Sequence, residues 1–254
     1  MPEISQLRPA LPRTVRLPDL LTTANLVCGA LSVLLTSQGQ LTIACWLLFL
    51  AAVFDVFDGM AARAMGGGSP LGAQLDSMAD MVSFGVAPAF AVCTVSLSIH
   101  PEGLWWAVAA AVWICIASAW RLAKFNVDTR QSTGFLGLPT PANGLFWASV
   151  VLIALGQGLP STPWALAMGT GLAATFKTPV IMFAVALVLG LVMLSELPLP
   201  SLKFKHGGWN GNEPIFLLIG AGAVLALLFG LLAVPLLLIL YVLSPLWGRI
   251  FQTP

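Results

Sequence analysis

The sequence predicts an all-α fold, a polytopic membrane helix bundle of about eight transmembrane helices. Three observations predict it. The 254 residues are 58% hydrophobic and only 8% charged, where a soluble domain carries about 25% charged residues. Apolar runs of the length that crosses a bilayer, about 20 residues, recur along the whole chain. Basic residues fall almost entirely on alternate connections between those runs, as the positive-inside rule requires of a protein threaded through a membrane. The soluble portions are too short to build cores of their own, so residues 1–254 are expected to form one integral-membrane domain, with 1–17 as an N-terminal segment on the cytoplasmic side.

In chain order the predicted spans are 18–36, 41–62, 71–98, 104–124, 138–158, 177–195, 214–230 and 232–247. The last two divide one apolar run longer than a single span needs, and Gly230 and Pro235 favour a break inside it. Residues 159–176, interrupted by Pro160, Pro163 and several glycines, read as a loop or an interfacial segment. With eight spans, both termini lie on one side, together with Arg8, Arg13, Arg16, Arg63, Arg121, Lys124, Arg130, Lys203, Lys205 and Arg249. Those are ten of the eleven Lys and Arg residues, Lys177 being the exception. That side is predicted to be the cytoplasm.

Composition also excludes several function classes. No basic stripe suited to nucleic acid is present. Cys28, Cys45, Cys93 and Cys115 lie in apolar runs without CxxC spacing or a nearby histidine, which favours packing over disulfides or metal binding. No cleavage pattern of a signal peptide follows the N-terminal arginines. His100 and His206 fall in connections on opposite sides and read as solvated. Tryptophans near span ends, such as Trp46, Trp105, Trp106 and Trp247, read as interfacial anchors or lipid-facing residues.

The exception to this apolar pattern is the stretch 55–85, which holds four of the ten acidic residues. Asp55 and Asp58 are three apart and Asp76 and Asp80 four apart, so on helices each pair projects from one face. Ionisable side chains at membrane depth are costly and by default mark a functional site. Four carboxylates brought together must share protons or be neutralised by a divalent cation. A structural alternative is that the acids cap helices or pair with arginine, as Asp58 would with Arg63. With a metal bound, a diphosphate is the natural ligand, because its oxygens complete the metal's shell and the metal offsets charge on a leaving phosphate. Small residues at Gly59, Ala62 and Gly72 leave room for such a ligand near the backbone, although small residues also serve helix packing.

The pattern D-x-x-D-G-x-x-A-R-x8-G-x-x-x-D-x-x-x-D, present as Asp55, Asp58, Gly59, Ala62, Arg63, Gly72, Asp76 and Asp80, resembles the signature of the CDP-alcohol phosphotransferases. The resemblance implies displacement of CMP from a CDP-linked donor and a divalent metal, Mg or Mn, bound by Asp55, Asp58 and Asp76 with help from Asp80. Asp80 would also be the general base for the acceptor hydroxyl. Gly59, Ala62, Arg63 and Gly72 would shape the cytidine diphosphate pocket. The run Leu75 to Ala89, the segment Arg121 to Asn126, Gly137-Leu-Pro-Thr-Pro141, Pro198 to Lys203, and Thr22 and Asn25 resemble the branch that forms phosphatidylserine. This implies CDP-diacylglycerol and L-serine as substrates, a homodimer, and a bacterial inner-membrane enzyme with its active site facing the cytoplasm. Pro18-Asp19 departs from the Pro-Asn of many relatives, and an aspartate cannot donate as an amide does.

Acceptor or phosphate contacts are expected from Ser83, Arg121 and Lys124. For these, local bonding of Ser83 to its own helix and membrane anchoring by the two cations are the alternatives. Other acceptors, such as glycerol phosphate, inositol phosphate or choline, and an archaeal-type lipid donor stand as alternatives within the family. An ion-coupled transporter lined by the aspartates is the alternative of another class, disfavoured by the lack of inverted repeats.

Overall fold

The computed structural model describes residues 15–128, 135–158, 162–174, 178–199 and 213–251. Arg8, Arg13, Arg130, Lys177, Lys203, Lys205 and His206 lie outside them. Helix α1 spans Leu17–Ser37, α2 Leu41–Ala64 and α3 Pro70–Asp80. A π-helical turn, Met81–Val86, carries α3 directly into α4, Ala87–Ile99. After a short 3-10 turn come α5, Leu104–Val127, α6, Thr140–Ala154, α7, Pro163–Ala173, and α8, Pro179–Leu194. The described chain ends with α9, Glu213–Phe229, and α10, Ala233–Phe251.

Helix ends follow local chemistry. Ser69 caps α3 by accepting the Gly72 N–H at 2.9 Å, with Pro70 in the first turn where a missing N–H costs nothing. At the start of α1, the Asp19 carboxylate accepts the Arg16 N–H at 2.9 Å. The π turn between α3 and α4 has a cause in the sequence. Pro88 offers no N–H to the carbonyl four residues back and its ring crowds that carbonyl, and a widened turn just before it absorbs both.

Among the described residues, five stretches are long and apolar enough to cross a membrane: Leu17–Ser37, Leu41–Ala64, Pro70–Ile99, Pro101–Val127 and Ile219–Pro245. The chain is therefore an integral membrane protein built as a helix bundle. Two predicted spans, 138–158 and 177–195, correspond to the shorter apolar helices Thr140–Ala154 and Pro179–Leu194. Helix α6 sits inside the bundle, with Asn143, Trp147, Val151 and most of its other side chains buried. Residues 159–176, read as loop or interfacial, contain the 11-residue helix α7, too short to cross at 1.5 Å per residue. The apolar run 214–247 does break. Gly230 takes a φ of 59°, and a Cβ on Gly222 would lie 3.2 Å from Leu237. Fifteen residues of straight helix would hold those two about 22 Å apart, so α9 and α10 fold back on each other.

The core centres on Leu48, Val92, Ile114, Trp147, Leu152 and Met182, drawn from α2, α4, α5, α6 and α8. Large apolar side chains such as Leu34, Leu50, Val53, Trp105 and Leu227 face outward, as lipid contact allows and water would penalise. One short antiparallel pairing, Phe135 with Leu199 and Leu136 with Pro198, was not anticipated. It is continued by Gly137, whose N–H donates to the Leu197 carbonyl at 2.9 Å and whose φ of 77° suits glycine. The segment before α6 is thereby fastened to the end of α8.

Two glycines let helices close on the π turn. A Cβ on Gly29 of α1 would stand 2.7 Å from Ser83 Cα, and one on Gly144 of α6 would stand 2.8 Å from Phe84 Cα. Because the obstructing atoms are backbone, the helices themselves would have to part. Gly144→Ala is therefore expected to destabilise the protein by about 1–3 kcal/mol. Thermal unfolding in detergent should show a melting temperature lower by several degrees, and an unchanged one would contradict this close packing.

Candidate active site

The four motif aspartates come from two helices that run to the same end of the bundle. Asp55 and Asp58 lie on α2, and Asp76 and Asp80 on α3, with Asp80 at the last position before the π turn. One carboxylate oxygen each from Asp55, Asp76 and Asp80 lies within 4.8 Å of the others. Asp58 is turned towards α1, where its Oδ2 accepts the Thr22 hydroxyl at 2.7 Å. The structure thus gathers three of the four predicted ligands tightly and sets the fourth beside them. The predicted alternative of an Asp58–Arg63 ion pair is not formed. Among the described residues, the one side-chain ion pair within 4.0 Å joins His100 and Glu102 at the far end of α4.

Helix α1 supports this cluster, a role the sequence did not disclose for Thr22 and Asn25. Besides the Thr22 contact, Asn25 Nδ2 donates to Asp80 Oδ1 at 3.3 Å. The Ser83 hydroxyl donates to the Asn25 carbonyl at 3.0 Å. Thr22, Asn25 and Ser83 are all buried. Each carboxylate that faces α1 is held by a neutral donor, which fixes its direction without consuming its charge.

Beside the cluster opens a cleft of about 200 Å³, walled by Asp19 and Thr22 of α1, Asp58, Gly59 and Ala62 of α2, and Gly72 and Asp76 of α3. Three of the four residues expected to shape a nucleotide pocket, Gly59, Ala62 and Gly72, are therefore on its wall. Arg63 is not. Its side chain is exposed and folds back towards Gly59, where an added Cβ would lie 3.3 Å from Nη1. Gly72 is needed small, since a Cβ there would meet Asp19 Oδ1 and Ser69 Oγ, each at 3.1 Å. Asp19 lies on the cleft wall itself.

The three predicted acceptor residues take different places. Ser83 bonds not its own helix but the α1 carbonyl named above. Lys124 donates to the Leu194 carbonyl at 3.1 Å, at the α8 C-terminus, where a cation complements the helix dipole. Arg121 is 4% exposed. Its Nε donates to the Leu138 carbonyl at 3.3 Å, and its guanidinium stands 5.4 Å from the Phe125 ring centre. Among the described residues, no carboxylate lies within ion-pair distance of it. Its depth follows from the register of α5 against α3 and the π turn. Ser77 bonds Asn126 at 2.9 Å, and Ser118 Cβ would lie 3.1 Å from a Cβ on Gly85. These antiparallel contacts put Arg121 level with Val82, at the depth of the acidic cluster.

The donor set suits a hard divalent cation. Three carboxylates with converging oxygens are the ligands that Mg and Mn prefer. Asp76 Oδ1 is also buried without a hydrogen-bond partner, a state that a bound cation would relieve.

Comparison with known proteins agrees with this geometry. The CDP-alcohol phosphatidyltransferase family matches residues 15–246. A CDP-diacylglycerol–serine O-phosphatidyltransferase of Bacillus subtilis is 33% identical over 146 residues, covering 55% of this chain and 81% of that one. A protein of the same name from Methanocaldococcus jannaschii is 32% identical over 187 residues, 71% of this chain and 85% of the other. An archaetidylserine synthase of Methanothermobacter thermautotrophicus is 36% identical over 140 residues, 54% of this chain and 58% of its own. With its aspartates converging beside a glycine-lined cleft and the match running from α1 into α10, the chain belongs to the CDP-alcohol phosphatidyltransferase family.

Proposed function

We propose that this protein transfers the phosphatidyl group of CDP-diacylglycerol to the hydroxyl of L-serine, releasing CMP. The observation that carries the chemistry is the convergence of Asp55, Asp76 and Asp80 within 4.8 Å, with Asp76 also on the cleft wall. The names of the relatives support serine as the acceptor. Arg121 supports it on physical grounds. A buried guanidinium that has no carboxylate partner among the described residues is expensive, and an α-carboxylate would answer it with two parallel hydrogen bonds.

In this reading Asp55, Asp58 and Asp76 hold the divalent cation with help from Asp80. The cation, when bound, supplies charge compensation at the diphosphate and at the departing CMP. Gly59, Ala62 and Gly72 leave the volume in which the cytidine diphosphate lies, and Arg63 stands at its rim. Asn25 holds Asp80 in a fixed direction. Asp80 then accepts the proton of the serine hydroxyl as that oxygen bonds to the phosphorus bearing the diacylglycerol. The bond from this phosphorus to the oxygen of CMP breaks, and CMP leaves with that electron pair. Lys124 and Ser83 contribute by holding α8 and α1 in place around the acceptor side.

The remaining parts of the proposal concern setting. Arg16, Arg63, Arg121 and Lys124 all lie at the site's end of their helices, which supports a cytoplasmic active site in a bacterial inner membrane. Both termini would share that side. The single domain over 1–254 and the homodimer rest on the resemblance.

Purified protein given CDP-diacylglycerol, Mg or Mn, and a panel of alcohols should release CMP with L-serine and little with glycerol phosphate, inositol phosphate or choline. Release confined to another acceptor would overturn the assignment. Asp80→Asn should lower kcat by roughly 10²- to 10⁴-fold, the usual worth of a general base, while leaving the melting temperature near that of the parent. Turnover close to normal in that variant would remove the base role.

A further inference from the structure

Resting on the serine reading above, the inference concerns what recognises the acceptor's amine. Two side-chain amides near the acidic cluster have a carboxamide oxygen that is buried and without a hydrogen-bond partner, Asn25 Oδ1 and Asn143 Oδ1, and Thr140 Oγ1 shares that state. All three residues are 2% exposed or less. Unlike a hydroxyl, a carboxamide oxygen cannot donate, so its need is for an N–H or O–H from elsewhere. Leaving such an atom unsatisfied is costly enough to require an explanation.

Their placement supplies one. Helix α6 packs on the π turn through Gly144, whose added Cβ would stand 2.8 Å from Phe84 Cα. Thr140, Asn143 and Gly144 share one face of α6 by their three- and four-residue spacing. Since α6 runs parallel to α3 and the π turn, Thr140 is level with Asp80 and Asn143 with Ser83. Asn25 reaches the same level from α1, through its bond to Asp80. Three unpartnered oxygens from two helices thus lie at the depth of the general base, and Arg121 approaches that depth from α5.

We propose that Asn25, Thr140 and Asn143 form the subsite for the ammonium group of the acceptor amino acid. An ammonium has three N–H bonds, matching three acceptor oxygens, and all three acceptors are neutral. In serine, the hydroxyl and the ammonium sit on adjacent carbons, so neighbouring protein groups must meet them. Asn25 does this with one side chain: its nitrogen holds Asp80, which faces the hydroxyl, and its oxygen faces the amine. The α-carboxylate falls to Arg121. Alcohols without an amine would leave the three oxygens unpaired, so these residues determine specificity.

The test compares L-serine with 3-hydroxypropionate, which keeps the hydroxyl and carboxylate and lacks the amine, in the parent protein and in Thr140→Val and Asn143→Ala. The parent should favour L-serine by roughly 10³-fold or more in kcat/KM, as sites that hydrogen-bond a substrate N–H do. Each variant should raise the KM for L-serine by roughly 10- to 100-fold, keep its KM for CDP-diacylglycerol, and lose discrimination against 3-hydroxypropionate by a similar factor. A merely structural role would not shift that discrimination. If the parent is serine-selective and either variant, shown folded by its melting temperature, keeps both the parental KM and the selectivity, the subsite is wrong and the serine reading stands. A parent that does not use L-serine would overturn both.

Discussion

The structure depends on keeping carboxylates close together at membrane depth, with Asp80 buried and Asp55 and Asp76 half-buried beside the cleft. Held within 4.8 Å of one another, Asp55, Asp76 and Asp80 would repel by roughly 3 kcal/mol per pair in a protein medium if all were ionised. Soluble surface acids avoid this by moving apart. Here α2 and α3 are both packed on α1, which limits how far the acids can part. Asp58 and Asp80 are tied to α1 by Thr22 and Asn25, and α1 is pressed against the π turn at Gly29 and Ser83. A divalent cation held there would replace repulsion among the ionised acids with attraction.

That constraint accounts for other features of the bundle. Small residues recur where backbones must approach the cluster, at Gly29, Gly72 and Gly144, and a Cβ at any of them would meet a neighbour within 3.1 Å. The π turn lies immediately beyond Asp80, where Pro88 forces the helix to widen. Its rim receives α1, α5 and α6 at once, so polar groups from three helices can meet one carboxylate. Farther along the bundle the packing becomes ordinary: Trp147, Val92 and Met182 fill a dry core, and lipid-facing side chains need only be apolar.

Much of this was legible in the sequence for physical reasons. A membrane removes the ambiguity of hydropathy, so the first four spans lie within a few residues of α1, α2, the α3–α4 stretch and α5. The site was legible because acids are rare in such segments, and the spacing of Asp55, Asp58, Asp76 and Asp80 fixes which faces they share. Other features depend on contacts between elements that no local pattern encodes. The pairing of Phe135 with Leu199 joins residues far apart in the chain. Arg63 belongs to the motif and yet is not on the cleft wall, because its exposed side chain lies back along α2 towards Gly59. Lys124 shares the charge of Arg121 but is taken up by the end of α8. Asn25 and the Gly137-Leu-Pro-Thr-Pro141 motif that holds Thr140 stood out in the sequence only by resemblance, and Asn143 not at all. Rules about polar residues at membrane depth could have flagged them, but only the packing of α1 and α6 on the π turn shows where they meet.

The claim on which all of this rests is that the converging carboxylates hold a divalent cation. Electron paramagnetic resonance of Mn added to the purified protein in detergent measures this without any substrate. The account predicts saturable Mn binding that is weakened at least roughly tenfold by Asp55→Asn or Asp76→Asn, as loss of a charged ligand implies. Mn binding that is absent in the parent protein, or equally strong in both variants, would contradict it.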